Sequence, residues 1–211
     1  MTIFYEPSNG HPFPRNPFKA LVVPRPIGWI STRSAAGVNN LAPHSYFNAV
    51  SDAPPVVLFS SNGAHPHGAK DTADAAISTG SFVVNIATWD LRDAMNASSA
   101  AVEPQVDEFE LAGLTPIKGR LVDAPMVAEA PVKMECKTLT HVDLPHQPGG
   151  RNVTVFGEVV GVHIDEAVLE EGFLDMAKLQ PIARLGYRDY AVVREVFSMD
   201  RPLGGDKAIG S

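Results

Sequence analysis

Residues 24–70, PRPIGWISTRSAAGVNNLAPHSYFNAVSDAPPVVLFSSNGAHPHGAK, decide the fold of this chain. The apolar runs in this stretch are rich in β-branched and aromatic side chains, which pack well on a pleated surface and therefore predict strands. The turn SAAGVNN at residues 34–40 predicts a hairpin between a strand at 27–33 and a second strand at 41–50. The nearly continuous apolar run at 56–60 predicts a third strand at the centre of a sheet.

The remaining sequence adds more strands and a few short helices. We expect strands at residues 81–87, 132–144, 153–164 and 190–197, and short helices at 72–79, 91–100 and 106–112. No βαβ period repeats along the chain, so a parallel sheet is not indicated. Gly157 and Gly161 permit the bends that barrels use at their corners. The patterns predict a mainly β protein, an antiparallel barrel with three or four short inserted helices.

The chain length of 211 residues fits one domain with a core of its own. Residues 1–18 are rich in proline and lack periodicity, so we expect an extended N-terminal arm there. Residues 19–203 then form the single folded domain. The polar residues 204–211 are expected to form a flexible tail.

Composition and charge argue against several classes of protein. A formal charge of −7 and a pI of about 5.4 leave no basic surface to neutralise a phosphate backbone, so we expect no nucleic-acid partner. Cys136 is the only cysteine, which excludes a disulfide within the chain and a cysteine-based zinc site. No window approaches the roughly 18 apolar residues of a membrane span, and the N-terminus lacks a secretory leader. We therefore expect a soluble cytoplasmic protein without a membrane partner.

Hydroxyl and amide side chains recur in residues 24–70 more often than a pair of strands needs for itself. Lys70 precedes the helix expected at 72–79 by two residues. Because a helix N-terminus presents unpaired donors and a partial positive charge, Lys70 and the nearby hydroxyls could bind a phosphate. In the alternative, Lys70 is a solvated side chain and Asp71 or Thr72 only caps the helix.

Histidine clusters suggest a second kind of site. His65 and His67 share one side of an extended chain, and His44 could supply a third nitrogen to a metal ion. No carboxylate has matching spacing, however, and the loop HPHG is equally well a surface loop. We predict no metal. A serine hydrolase is not indicated either, because the chain has no G-x-S-x-G motif.

Arg184, in the segment PIARLGYRDY, is a further candidate. Gly186 allows another part of the backbone to approach closely, and Tyr187 and Tyr190 could flank a planar ligand. A plain strand entrance explains the same residues equally well, so both interpretations stay open.

The segments PRPIGWIST, NLAPHSYFNAVSDAPP, KDT followed by TGSFVVNIA, and PIARLGYRDY together resemble the flavin reductase-like family, whose domain is the FMN-binding split β-barrel of antiparallel, Greek-key type. The resemblance runs from about residue 18 to residue 202. Its most specific part is N-L-A-P-x-S-x-F-N, with a Pro-Pro pair behind it and K-D-T further on. Within the family, the chain looks closer to the flavoprotein oxygenase branch than to the short reductase components of two-component monooxygenases.

The resemblance implies that residues 19–203 bind FMN in a groove at a homodimer interface. It assigns to the isoalloxazine ring and ribityl chain Ser45, Tyr46, Phe47 and Asn48, with Ser31 and Thr32 nearby. To the phosphate end it assigns Ser60, Ser61, Lys70 and Thr72, and to the rim of the pocket Arg184. A catalytic acid or base is not required because the redox chemistry belongs to the flavin, although His44 could orient a nicotinamide.

The implied reaction is hydride transfer from NADH or NADPH to N5 of FMN, followed by electron transfer to oxygen, an oxygenase or another acceptor. No Rossmann fingerprint is present, so the nicotinamide would bind transiently over the flavin. Two alternatives stay open. One is a non-catalytic flavin carrier or redox sensor, and the other is a split barrel of the pyridoxamine-phosphate-oxidase type.

Overall fold

The computed structural model describes residues 1–63, 71–103 and 105–200. Within these ranges the helices are α1 (Phe18–Leu21), α2 (Asp71–Thr79), α3 (Arg92–Ala97), α4 (Glu108–Ala112) and α5 (Met176–Leu179), with 3₁₀ turns at Pro7–Asn9 and Glu166–Val168. The strands are β1 (Arg25–Pro26), β2 (Gly28–Arg33), β3 (Asn39–His44), β4 (Phe47–Asp52), β5 (Pro55–Gly63), β6 (Ser81–Ile86), β7 (Pro116–Lys118), β8 (Pro125–Val127), β9 (Val132–Leu144), β10 (Arg151–Ile164), β11 (Leu169–Glu170), β12 (Phe173–Leu174), β13 (Ile182–Arg184) and β14 (Tyr190–Val192).

A seven-stranded antiparallel sheet is the main structure, with the order β3-β2-β6-β9-β10-β5-β4. Strands β3 and β4 are its two edges, yet only residues 45 and 46 separate them in sequence. The sheet curls so that the end of β3 contacts β5. The chain therefore crosses the open seam of the barrel at residues 45–46, which makes this link the closing point of the fold.

Both register shifts in the pairing of β9 with β10 occur at a glycine of β10. The pairing of β9 with β10 shifts register between Phe156 and Gly157 and again between Val159 and Gly161. A Cβ atom at Gly157 would lie 2.4 Å from Cζ of Phe82, so only glycine leaves room for this buried ring. The register shifts lie where bends are expected: the first leaves Leu139 of β9 unpaired and the second leaves Val160 of β10 unpaired.

Helix α2 packs against the inner face of the curled sheet. Its small side chains Ala73 and Ala76 share a buried cluster with Ile30, Phe59 and Phe82. Small residues let the helix axis approach the strands closely. The helix ends at Gly80, whose φ of +73° is readily adopted by glycine.

The small sheet β1-β13-β14 holds the N-terminal segment against the barrel. Arg25 is buried and donates to the carbonyl oxygens of Lys19, Val22 and Leu185. A Cβ atom at Gly186 would lie 2.3 Å from Cβ of Ala20. The close approach expected at Gly186 is thus made by helix α1.

Several boundaries differ from the expected ones because pairing partners decide where a strand ends. The single strand expected at 41–50 is two strands, β3 and β4, on opposite edges of the sheet. The last strand is limited to Tyr190–Val192. Helices α3 and α4 are shorter than expected, whereas β9 has the expected bounds. The division into an arm at 1–18, a domain at 19–203 and a tail at 204–211 stays a prediction.

Candidate functional site

The link between β3 and β4 gathers the residues expected at the ring end of the site. The backbone N–H of Ser60 donates to the carbonyl oxygen of Tyr46 over 2.8 Å. Nδ1 of His44 lies 3.3 Å from the carbonyl oxygen of Ser60, so the ring proton is on Nδ1. The His44 ring is buried, with its centroid 5.0 Å from that of Phe59. In this position His44 helps to close the barrel.

The side chains at 45–48 are half-buried or exposed, as a ligand surface requires. Phe47 packs directly on Gly28, where a Cβ atom would lie 2.6 Å from Cδ2 of the ring. The Tyr46 ring lies 5.7 Å from Cζ of Arg25. Asn48 is exposed, and its Oδ1 accepts the N–H of Ala49 over 2.9 Å.

Ser60 and Ser61 lie on opposite faces of β5 because successive side chains of a strand alternate. Ser60 points outward and shares a hydrogen bond of 2.7 Å with the hydroxyl of Thr154. Ser61 is buried on the inner face, which it shares with Phe59. Only Ser61 faces the side on which α2 packs, so the two hydroxyls do not share a face, and their expected roles at the phosphate stay predictions.

The first turn of α2 lies against β2 and β3. Oγ1 of Thr32 is fully buried on the face of β2 that it shares with Ile30, and among the described residues it has no hydrogen-bond partner. The hydroxyl of Thr72 donates to Oδ1 of Asn40 over 2.6 Å. Thr72 can therefore offer a ligand its backbone N–H, but its hydroxyl proton is already engaged.

Ser31 lies on the other face of β2. Its hydroxyl is fully buried, donates to the carbonyl oxygen of Pro125 and accepts from Nδ2 of Asn85 over 3.0 Å. Asn85 also donates to the Trp29 carbonyl. Ser31 belongs to the core network that joins β2, β6 and β8, so we leave it out of the proposed site.

Arg184 pairs across β13 and β1 with Arg25. Its guanidinium lies over the Tyr190 ring, 4.4 Å from the centroid, and donates to the Tyr190 hydroxyl and to the Tyr187 carbonyl. Since Arg25 contacts Tyr46, Arg184 is one strand away from the 45–48 segment. Its expected role at the rim of the pocket stays a prediction.

Lys70, His65 and His67 lie outside the described residues, so their expected roles stay predictions. Within residues 1–63, 71–103 and 105–200, no group of three His, Cys, Asp or Glu side chains could hold a metal ion. Cys136 is buried, and burial raises the pKa of its thiol far above the usual range, which keeps it protonated and unreactive.

Two contributors were missed from the sequence. Asn40 connects Thr72 to Oε1 of the buried Glu108, and Arg25 anchors the segment under Tyr46. The available signal for Arg25 is its position between Pro24 and Pro26, where a long charged side chain enters the sheet. No local pattern marks Asn40, because its partners lie about 30 and 70 residues away in sequence.

Comparison with known proteins identifies the fold family. The protein-family model described as "Flavin reductase like domain" matches residues 20–189. The chain belongs to the flavin reductase-like family. An uncharacterised protein of Aquifex aeolicus is 39% identical over 171 residues, which cover 81% of this chain and 85% of that protein.

Solved structures of this family confirm the antiparallel split barrel. Component B of nitrilotriacetate monooxygenase from Bacillus cereus is 32% identical, with a TM-score of 0.85 over 94% of this chain and 99% of that one. A flavin reductase with a split barrel domain from Shewanella frigidimarina is 25% identical, with a TM-score of 0.73 over 84% and 86% of the two chains. None of the helices within the described ranges is long and apolar enough to cross a membrane.

The residues present in this flavin reductase-like chain fit FMN. The half-buried surface at 45–48 suits a flat amphipathic ring. The buried hydroxyl of Thr32 has no partner among the described residues, and Thr32 pairs across the strands with Asn40, to which Thr72 of α2 donates. A phosphate oxygen would satisfy that hydroxyl and accept backbone N–H groups of the helix.

Proposed function

We propose that this protein is an FMN-dependent oxidoreductase that takes a hydride from NADH or NADPH and passes electrons to oxygen, an oxygenase or another acceptor. When bound, FMN supplies the redox chemistry, while the protein binds and orients it. The observation that carries the proposal is the buried hydroxyl of Thr32, which has no partner in the part of the chain that the structure describes, beside the nine-residue helix α2 in a chain of this family. The monooxygenase component among its structural relatives supports onward electron transfer to a separate enzyme.

In the proposed complex, each end of the groove has its own task. The segment 45–48 holds the ring, because its backbone is anchored by Ser60 and its Phe47 side chain by Gly28. Thr32, Ser61 and the first N–H groups of α2 hold the phosphate, together with Lys70. Arg184 lies at the rim, one strand beyond Arg25.

We also propose that two copies form a homodimer with FMN at their interface. Three cross-strand rows on the outer face of the sheet support it: Val142–Thr154–Ser60, Leu144–Asn152–Asn62 and Thr140–Phe156–Leu58. Val142 and Leu144 are 45% and 42% exposed, which leaves an apolar surface for a partner to cover. A cytoplasmic location suits the single reduced thiol of Cys136.

The absorption spectrum of the purified protein tests the proposal, followed by anaerobic mixing with NADH and with NADPH. We expect a yellow protein, or one that takes up added FMN, whose flavin absorbance is bleached by at least one nucleotide. A protein that takes up no FMN would disprove the flavin site. Bound flavin that neither nucleotide bleaches would instead identify a carrier or sensor.

Lys70→Ala tests the orientation of FMN in the groove, that is, which end holds the phosphate. A charge-assisted hydrogen bond to phosphate contributes about 1.5–3 kcal/mol, so the variant should weaken FMN more than riboflavin. Equal losses of affinity for FMN and riboflavin would show that Lys70 does not contact the phosphate.

A further inference from the structure

A cavity lies between helix α3 and strand β14, and none of the residues that line it is assigned to the flavin ring or phosphate. Its volume is about 320 Å³. The apolar part of its lining comes from Met95, Ile182 and Val192, and the aromatic part from Trp89 and Tyr190. Ligand pockets are typically about 300–1,000 Å³ with mostly apolar walls and a few polar groups, so this cavity suits a small molecule.

Arginine side chains surround the aromatic rings of the cavity. Cζ of Arg92 lies 4.1 Å from the Trp89 ring centroid, and Cζ of Arg194 lies 4.8 Å from it. Arg184 covers the Tyr190 ring in the same way. Arg92 and Asp93 are the charged residues of the cavity lining, and Arg184 and Arg194 add two positive charges at its aromatic rings, in a chain with a formal charge of −7. A negatively charged ligand is therefore favoured here.

Two of these guanidinium groups keep donors for a ligand. Arg92 donates one N–H to the Trp89 carbonyl over 2.7 Å, and its Nη2 lies 3.5 Å from Oδ2 of Asp93. The Asp93 side chain is 88% exposed, so water weakens this ion pair. Arg194 has, within the described ranges, no recorded partner besides the Trp89 ring. Each guanidinium carries five N–H groups, more than these contacts use.

We propose that this cavity binds a small planar aromatic carboxylate. The ring would lie on the apolar floor formed by Met95, Ile182 and Val192, and the carboxylate would accept from Arg92 and Arg194 beside Trp89. The cavity is at the small end of the usual range, so a whole dinucleotide does not fit within it. The inference does not depend on the flavin site.

Anthranilate and its neutral analogue 2-aminobenzamide test the proposal as matched probes on the full-length protein. Trp89 is one of two tryptophans, and the other, Trp29, is fully buried and bonded to Ser98. We expect saturable anthranilate binding by calorimetry, with quenching of Trp89 emission. The amide should bind at least about tenfold more weakly, because it cannot form the charge-assisted hydrogen bonds. Equal affinity for the two probes would overturn the proposal.

Variants locate the site. Arg92→Gln and Arg194→Gln should each weaken anthranilate by about tenfold while leaving the FMN affinity unchanged. Trp89→Phe should remove the fluorescence response but keep the calorimetric binding. Arg120→Gln, an exposed arginine outside the cavity lining, is the control and should leave binding unchanged.

Two results would assign the cavity differently. If saturating FMN displaced anthranilate, the probe would occupy the flavin site and the proposal would fail. If Arg92→Gln changed the oligomeric state in sedimentation without changing probe affinity, the cavity would be a contact between subunits, and the proposal would fail as well.

Discussion

At the scale of single residues, Thr32 tests whether a buried hydroxyl contributes to ligand binding rather than to the stability of the fold. Its buried hydroxyl has no partner among the described residues, and an unsatisfied buried polar group costs about 1–3 kcal/mol. Thr32→Val keeps the shape and removes that cost. We therefore expect the flavin-free variant to be as stable as the wild type or more stable in denaturant unfolding, while its FMN affinity falls and its riboflavin affinity does not.

Thr138→Val is the matched control for Thr32. The Thr138 hydroxyl donates to the carbonyl oxygen of Ala76 in α2 over 2.7 Å. Its removal should lower the stability by about 1 kcal/mol and affect FMN and riboflavin equally. A loss of FMN affinity alone in Thr138→Val would contradict the placement of the phosphate at Thr32. An unchanged FMN affinity in Thr32→Val would contradict it as well.

Glu135 is a buried carboxylate with a structural role. Its oxygens accept the backbone N–H groups of Arg120, Leu121 and Val122 over 3.1, 2.6 and 2.9 Å, and Nε2 of His163 donates to it over 2.6 Å. In Glu135→Gln the amide would present a donor to groups that are themselves donors. We expect the free energy of unfolding to fall by about 3 kcal/mol in urea, against less than about 0.5 kcal/mol for the exposed Glu110→Gln.

The same network predicts an acid limit of stability. Burial raises the pKa of the Glu135 carboxyl, but the His163 hydrogen bond and the three backbone N–H groups outweigh it and hold the pKa below its usual range. A lowered folded-state pKa contributes stability above the unfolded value of about 4.3, and this is lost as the pH falls through the folded value. Between pH 7 and pH 3, the free energy of unfolding should fall less steeply with decreasing pH for Glu135→Gln than for the wild type. Parallel curves would contradict the network.

At the scale of elements, the packing of β2 on β4 positions the ring end. Gly28→Ala would drive a methyl group into the Phe47 ring, and overpacking of this kind costs about 1–3 kcal/mol. Gly119→Ala would place a methyl group 2.6 Å from the carbonyl oxygen of Val122, outside the cluster against which Phe47 packs. Both variants should lose stability, but only Gly28→Ala should weaken flavin binding in titrations at a temperature where both are folded. Equal flavin affinities would mean that Phe47 does not support the ring.

At the scale of the whole molecule, the outer face of β9 and β10 decides whether the flavin groove is complete. Val142→Lys with Leu144→Lys would place two charges on the proposed interface, so we expect a monomer in sedimentation equilibrium that binds FMN weakly. Leu111→Lys changes a leucine that is 46% exposed on α4 and serves as the control. A double variant that stays dimeric, or a monomer with unchanged FMN affinity, would contradict the shared groove.

The sequence by itself determined the strand content, the positions of the glycines at which β9 and β10 shift register, and the helix before Gly80. These depend on local properties, such as β-branching, periodicity and the φ angles open to glycine. The family resemblance was likewise readable, because the order of NLAPHSYFN, the Pro-Pro pair and KDT lies within one stretch.

Only the tertiary structure decided which polar groups are free for a ligand. Ser31 and Thr32 are neighbours with the same local signal, yet one bonds to Pro125 and Asn85 while the other has no partner among the described residues. Ser60 and Ser61 are also neighbours with the same local signal, yet the pleat of β5 puts Ser60 on the outer face, bonded to Thr154, and Ser61 on the inner face. Whether a hydroxyl is engaged depends on strands distant in sequence, and local patterns do not carry that information.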